Sequence, residues 1–200
     1  AALRARGLID DLLTYSRITH EPRGFEPVSL EDVVSGILLD LKEEIEQSGA
    51  RVEVGPLPTI ETTNVQIQHL FHNLIANALK FRRKDTPPII TIVGKKTPPE
   101  SPQAQPDMDP RSFNGKGNLN DAVPFWEISV KDNGVGFENM YADRIFKPFK
   151  RLHSREQFPG SGMGLAICQK IVSRLGGGIT ARGIPDVGAK FLVYLPEKST

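Results

Sequence analysis

The 200-residue sequence has a single cysteine, Cys168, a single tryptophan and almost no excess charge, its 25 Lys and Arg standing against 24 Asp and Glu for a formal net charge of +1. One thiol cannot build an intrachain disulfide framework or a cysteine-rich zinc module, and it fits a reducing, cytoplasmic compartment. Charge near zero supplies no global basic field of the kind that holds nucleic acid non-specifically, so no nucleic-acid partner is expected and any anion site must be local. No stretch approaches the roughly 18 consecutive apolar residues of a membrane span, and Ala1 to Arg6 lack the apolar core of a signal peptide. A hydrophobic content of 38% over this length is enough for one domain with a substantial core. The chain opens in mid-pattern, which points to a piece of a longer protein.

What is present falls into segments. Leu3, Leu8, Ile9, Leu12, Leu13 and Ile18 recur at helical spacing, with the charges largely on other faces. This predicts an amphipathic helix over 1–18, which Glu21-Pro22-Arg23-Gly24 stops, leaving 19–28 as a linker. Ser29 offers an N-cap to Leu30-Glu31-Asp32, starting a helix that runs to about Gln47 and ends at Gly49. A short strand follows at Arg51–Val54, then the longest helical pattern, from about Thr62 to Arg82. Ile89–Val93 reads as a strand. Five of the sixteen prolines crowd between Thr97 and Pro110, so 94–123 reads as a long insertion. A strand from Phe125 to Lys131, a helix from Met163 to Leu175 and two closing strands complete an α+β sandwich with helices on one face of a mixed sheet.

Four segments carry chemistry. Gly134-Val135-Gly136 and Gly160-Ser161-Gly162 each begin as G-x-G, but the sixth position of a dinucleotide fingerprint is Asn139 in one and Leu165 in the other, and no P-loop occurs. Gly160 to Gly164 remains as a glycine-rich turn before a helix, which either favours an anion or only makes a flexible loop. On the long helix, Asn73, Asn77 and Lys80 fall within an arc of about 60°. Their amide oxygens and ammonium suit Mg²⁺ and a triphosphate, or they form a solvated face. Phe81 beside them either stacks on a base or joins the core. Asp132, entering the G-x-G turn from a strand, can accept from an exocyclic amine or serve as an ordinary turn aspartate. Lys147 to Arg155 holds Lys150 and Arg151 among four basic residues and no acid, fitting a phosphate lid or exposed surface charge. His69 and His72, three apart on the helix, lack a nearby third metal ligand and read as structural.

In this order the segments resemble the ATP-binding catalytic domain of sensor histidine kinases, whose Bergerat fold is shared with gyrase, heat-shock and mismatch-repair ATPases. The N box is similar to Asn73-Leu74-Ile75-Ala76-Asn77-Ala78-Leu79-Lys80-Phe81, the G1 box to Asp132-Asn133-Gly134-Val135-Gly136-Phe137, the F box to Phe146-Lys147-Pro148-Phe149 and the G2 box to Gly160–Leu165. The resemblance extends from about Gly7 to Pro196. It implies ATP and Mg²⁺ as cofactors, with Asn77 on the metal, Asn73 and Lys80 near metal and phosphates, and Phe81 lining the adenine pocket. Asp132 would bind the adenine amine, and Gly134 and Gly136 would let backbone approach the base. Lys150 and Arg151 would face the phosphates, under a lid shaped by Gly160, Ser161, Gly162, Met163, Gly164 and Leu165.

The same resemblance makes Gly7 to Ile18 the end of a dimerisation and phosphoacceptor hairpin and makes 29–197 the catalytic domain. The acceptor histidine would lie on an earlier helix, since none of His20, His69, His72 or His153 has the acceptor's context. Gyrase-like ATPases carry a glutamate base where this chain has Asn73, and an amide cannot take a proton from water. The implied function is therefore transfer of the ATP γ-phosphate to a histidine, in a two-component system. Implied partners are the chain's own dimerisation domain, homodimeric in the full-length protein, and a response-regulator receiver domain. An inactive nucleotide-binding module and an anti-sigma-type serine kinase of the same fold stand as alternatives. Tyr141 to Phe146 with Arg151 to Glu156 is similar to kinases attached to phytochrome-like or PAS-type sensors.

Overall fold

The computed structural model describes residues 2–20, 24–97, 124–154 and 157–198. Helix α1 (Ala2–His20) is followed by strand β1 (Glu26–Ser29), helices α2 (Leu30–Asp40) and α3 (Lys42–Ser48), and strands β2 (Arg51–Val54) and β3 (Thr59–Thr62). Next come α4 (Asn64–Lys80), β4 (Ile89–Thr97), β5 (Phe125–Asp132), α5 (Gly164–Arg174), β6 (Gly178–Ile184) and β7 (Gly188–Pro196). The main sheet has the order β2-β4-β5-β7-β6, with β2 parallel to β4 and the other pairs antiparallel. This is the expected α+β sandwich with a mixed sheet.

Period-2 alternation along the strands and period-3.6 along the helices meet in one core. Ile90, Ile92, Ile128, Val130 and Val193 on the sheet pack with Ile67, Leu70, Phe71 and Leu74 of α4 and Ile167 and Ile171 of α5, all buried in one cluster. Helix α2 adds Leu30, Val33, Val34 and Ile37 to that cluster. Among the described residues no helix is long and apolar enough to cross a membrane.

Local chemistry accounts for several boundaries. Ser29 caps α2 as expected, its Oγ accepting from the Asp32 amide at 3.2 Å. The single helix expected from Leu30 to Gln47 is two, interrupted at Leu41 (ψ 9°) and stopped by Gly49 in the left-handed region at φ 65°. The expected 19–28 linker is shorter, because α1 extends to His20 and Glu26–Ser29 pairs antiparallel with β3. Burial explains that strand: Val28 stands opposite Ile60, and both are in the core. The insertion likewise begins later than 94. Gly94–Thr97 continue the ladder with Phe125–Ile128, where Lys96 lies 5.7 Å over the Trp126 ring and 2.9 Å from Glu197. Residues 98–123 of the expected insertion lie outside the described residues.

Candidate functional site

Helix α4 turns its apolar stripe to the sheet and its amides away from it. Asn73, Asn77 and Lys80 are half-buried on that second face. The Asn73 Nδ2 donates to the His69 carbonyl at 2.9 Å, which fixes the rotamer and leaves Oδ1 to face outward. A Cβ at Gly164 would come within 2.7 Å of that oxygen, so the start of α5 is held close to the asparagine face. Lys80 Nζ lies 4.8 Å from the Phe81 ring centroid. Its pKa is lowered, first by burial and then by the Arg151 charge, against a smaller opposing effect of Asp11.

The G1 turn is tied to the end of α4. Val135 donates its amide to the Phe81 carbonyl at 2.9 Å, and Asn133 bridges to the loop before β4, accepting from the Ile89 amide at 2.8 Å and donating to the Pro87 carbonyl at 3.0 Å. Asp132 is buried at 8% exposure. Its Oδ1 accepts from the Gly134 amide at 2.8 Å and the Ala189 amide at 3.2 Å. No donor among the described residues reaches Oδ2. Burial raises its pKa, opposed in part by those two amides. The glycines of the turn serve packing. A Cβ at Gly134 would meet the Phe81 carbonyl oxygen at 2.4 Å, and Gly136, at φ 60°, has the Ile184 carbonyl where a Cβ would go.

The lid folds back on itself from the F box to the G2 box. Phe149 adopts φ 62° and donates its amide to the Gly162 carbonyl at 3.1 Å. Arg151 donates from its two terminal nitrogens to the carbonyls of Gly160 and Phe158. Ser161 Oγ accepts from the Met163 amide at 3.1 Å and donates to Asp11 Oδ2 on α1. Phe81, His153 and Phe158 form an aromatic cluster with centroids 5.0–5.8 Å apart.

These elements enclose a cavity of about 270 Å³. All the expected site residues line it except Gly134, which packs behind the turn, and Met163, whose side chain is 1% exposed and belongs to the core. Sequence reading missed Asp11, Ile145, Leu152 and His153 on the lid side and Val135, Phe137, Ala189 and Phe191 on the sheet side. Phe137 closes the G1 box and could have been found there. Ala189 and Phe191 come from β7 and carry no local signal. A more open groove of about 1050 Å³ adjoins the cavity past the aromatic cluster, with Arg82 and Lys84 on its wall.

The side-chain amides of Asn73 and Asn77, the ammonium groups of Lys80 and Lys150 and the Arg151 guanidinium on the cavity lining suit phosphates, and the Asp132 carboxylate suits an amine donor. The donor set also fits Mg²⁺. Asn77 lines the cavity beside Asn73 with an amide able to offer an oxygen, and a hard cation that retains waters and phosphate oxygens needs few protein ligands. Among the described residues no group of three or more His, Cys, Asp or Glu could hold a metal instead.

An α/β sandwich that gathers these groups over one cavity defines an ATP-binding domain. The family model described as histidine kinase-, DNA gyrase B- and HSP90-like ATPase matches residues 62–199, and the chain belongs to that family, as a histidine kinase-type catalytic domain. The phytochrome-like protein Cph1 of Synechocystis sp. is 35% identical over 189 residues, covering 94% of this chain and 22% of that protein. Sensor histidine kinase RcsC of Escherichia coli is 28% identical over 198 residues, covering 94% of this chain and 18% of that protein. The chain thus spans about a fifth of the length of these relatives. Among solved structures, full-length ShkA in complex with AMPPNP superposes with a TM-score of 0.69 at 22% identity, over 94% of this chain and 35% of that one. Histidine kinase ThkA in complex with response regulator TrrA gives 0.66 at 18% identity, over 98% and 48%.

Proposed function

We propose that this domain holds Mg²⁺-ATP and transfers its γ-phosphoryl group to a histidine on a helix outside this chain. The carrying observation is the split of the Asp132 carboxylate on the cavity lining: Oδ1 accepts from two backbone amides, while Oδ2 has no protein donor among the described residues. It is free to accept the adenine amine. The phosphates then run toward Lys80, Arg151 and the lid glycines, where positioning and charge neutralisation are the main requirements for phosphoryl transfer. Mg²⁺, held through Asn77 and near Asn73, would supply further neutralisation of the phosphate oxygens. Lys80 would meet the phosphates directly, and Arg151, its terminal nitrogens on the Gly160 and Phe158 carbonyls, would hold the lid and add positive charge beside them.

Asn73 supports transfer over hydrolysis. Its amide nitrogen already donates to its own helix, and neither amide atom can take a proton from water. An imidazole nitrogen would attack the γ-phosphorus, the bond to the ADP oxygen would break, and ADP would leave with that electron pair. The phosphohistidine would pass its group to an aspartate of a receiver domain, on the cytoplasmic side. The exposed Leu8, Ile9, Leu12 and Leu13 of α1 suit the dimerisation helix of a homodimer. The test mixes this chain and γ-labelled ATP with the helical hairpin of the full-length protein. Acid-labile, base-stable label on the hairpin is the expected result. Acid-stable label would make it a serine kinase, and nucleotide binding without label would make it a regulatory module.

A further inference from the structure

Among the described residues, the one carboxylate lining the cavity beside Lys80 and Arg151 comes from α1, ahead of the residues the family model matches. Asp11 of α1 lines the cavity together with Lys80, Arg151, Gly160 and Gly162, and its Oδ2 accepts the Ser161 hydroxyl of the lid. The helix that carries it is docked: α1 packs on α5, Lys170 Nζ lies 3.9 Å over the Tyr15 ring, and Ile18 is 3% exposed. A carboxylate accepts the same hydrogen bonds as a phosphate oxygen and bears the same sign of charge. It also offsets part of the positive field that lowers the Lys80 pKa, the opposing effect noted above.

We infer that Asp11 is an internal competitor for the phosphate end of the nucleotide site, so that docking of α1 on the lid and binding of a nucleotide's phosphates oppose each other. The inference rests on the nucleotide reading of the cavity. A phosphate entering beside Lys80 would meet a like charge and would find Ser161 already committed. Release of α1 removes both obstacles. Ligand and α1 docking are then linked reciprocally, each weakening the other by the same factor.

Binding of a non-hydrolysable Mg²⁺-ATP analogue and of adenosine should be measured by calorimetry on this chain and on its Asp11→Asn and Asp11→Glu variants. Expected are about tenfold tighter binding of the analogue by Asp11→Asn, unchanged adenosine affinity, and near-parental affinity in Asp11→Glu. Saturating analogue should also speed amide exchange across residues 8–18 of the parent chain. Equal analogue affinities in parent and Asp11→Asn would overturn the competition and leave the nucleotide reading standing. So would weaker binding by Asp11→Asn, which would make the carboxylate a metal ligand, or equal shifts for both ligands. Failure of every protein to bind either ligand would overturn the nucleotide reading itself, and the competition with it.

Discussion

Two oxygens of one buried side chain, Asp132, are in different circumstances. Oδ1 takes the Gly134 and Ala189 amides and Oδ2 takes neither, so an Asn at this position would keep the first pair and present an NH₂ where the adenine amine must donate. A hydrogen bond to a charged carboxylate is worth about 1.5–3 kcal/mol. Asp132→Asn should therefore weaken ATP binding about tenfold or more, and unchanged affinity in a calorimetric titration would remove Asp132 from the adenine site. Protonation has the same effect without a mutation. Burial raises this carboxyl above its ordinary 3.8, so the folded chain binds the proton more tightly than the unfolded one. As pH falls through the raised value, Asp132 adds to folding stability while nucleotide affinity drops. Titrations at descending pH should show that loss setting in above the ordinary carboxylate range, and the loss should vanish in the Asn variant.

Helix α4 carries two unrelated tasks on two faces, and substitutions should separate them. Leu74 is fully buried, so Leu74→Ala should cost about 2–5 kcal/mol in a denaturant melt. Asn77 is half-buried and contributes no apolar packing to the core cluster. Asn77→Ala should change stability by less than about 0.5 kcal/mol yet abolish the Mg²⁺ dependence of ATP binding. Both faces were legible in the sequence because one helical period governs 17 residues. The four-residue β3 was not, since so short an alternation as Thr59 to Thr62 is indistinguishable from the start of the helix behind it. The same contrast holds in the site. Contiguous boxes declared Asn73, Asn77, Lys80, Asp132 and the lid, whereas Ala189, Phe191 and Asp11 reach the cavity only through tertiary packing. Met163 stands within a box and still faces the core, its side chain 1% exposed where it precedes the first residue of α5.

At the scale of the whole molecule, near-neutral charge concealed a local arrangement: Lys80, Lys150 and Arg151 line one cavity of a chain whose net charge is only +1. Saturation of that cavity should be visible globally. At 100 times its dissociation constant, a non-hydrolysable Mg²⁺-ATP analogue stabilises the folded state by about 2.7 kcal/mol, which raises the melting temperature of a domain this size by about 5–10 °C. Differential scanning calorimetry should record that rise and its reduction when Mg²⁺ is chelated. Absence of any shift would count against a preformed site. The outer limits of the sheet bear on the molecule's company. Its edge strand β2 has only four residues, and Arg51 and Glu53 pair across 2.9 Å with 76% and 48% of their side chains exposed. Short, charged edges are poor templates for strand addition. Sheet extension from this side, whether by a partner peptide or by a second copy beginning a fibre, is thereby disfavoured even where copies of the chain are held close together.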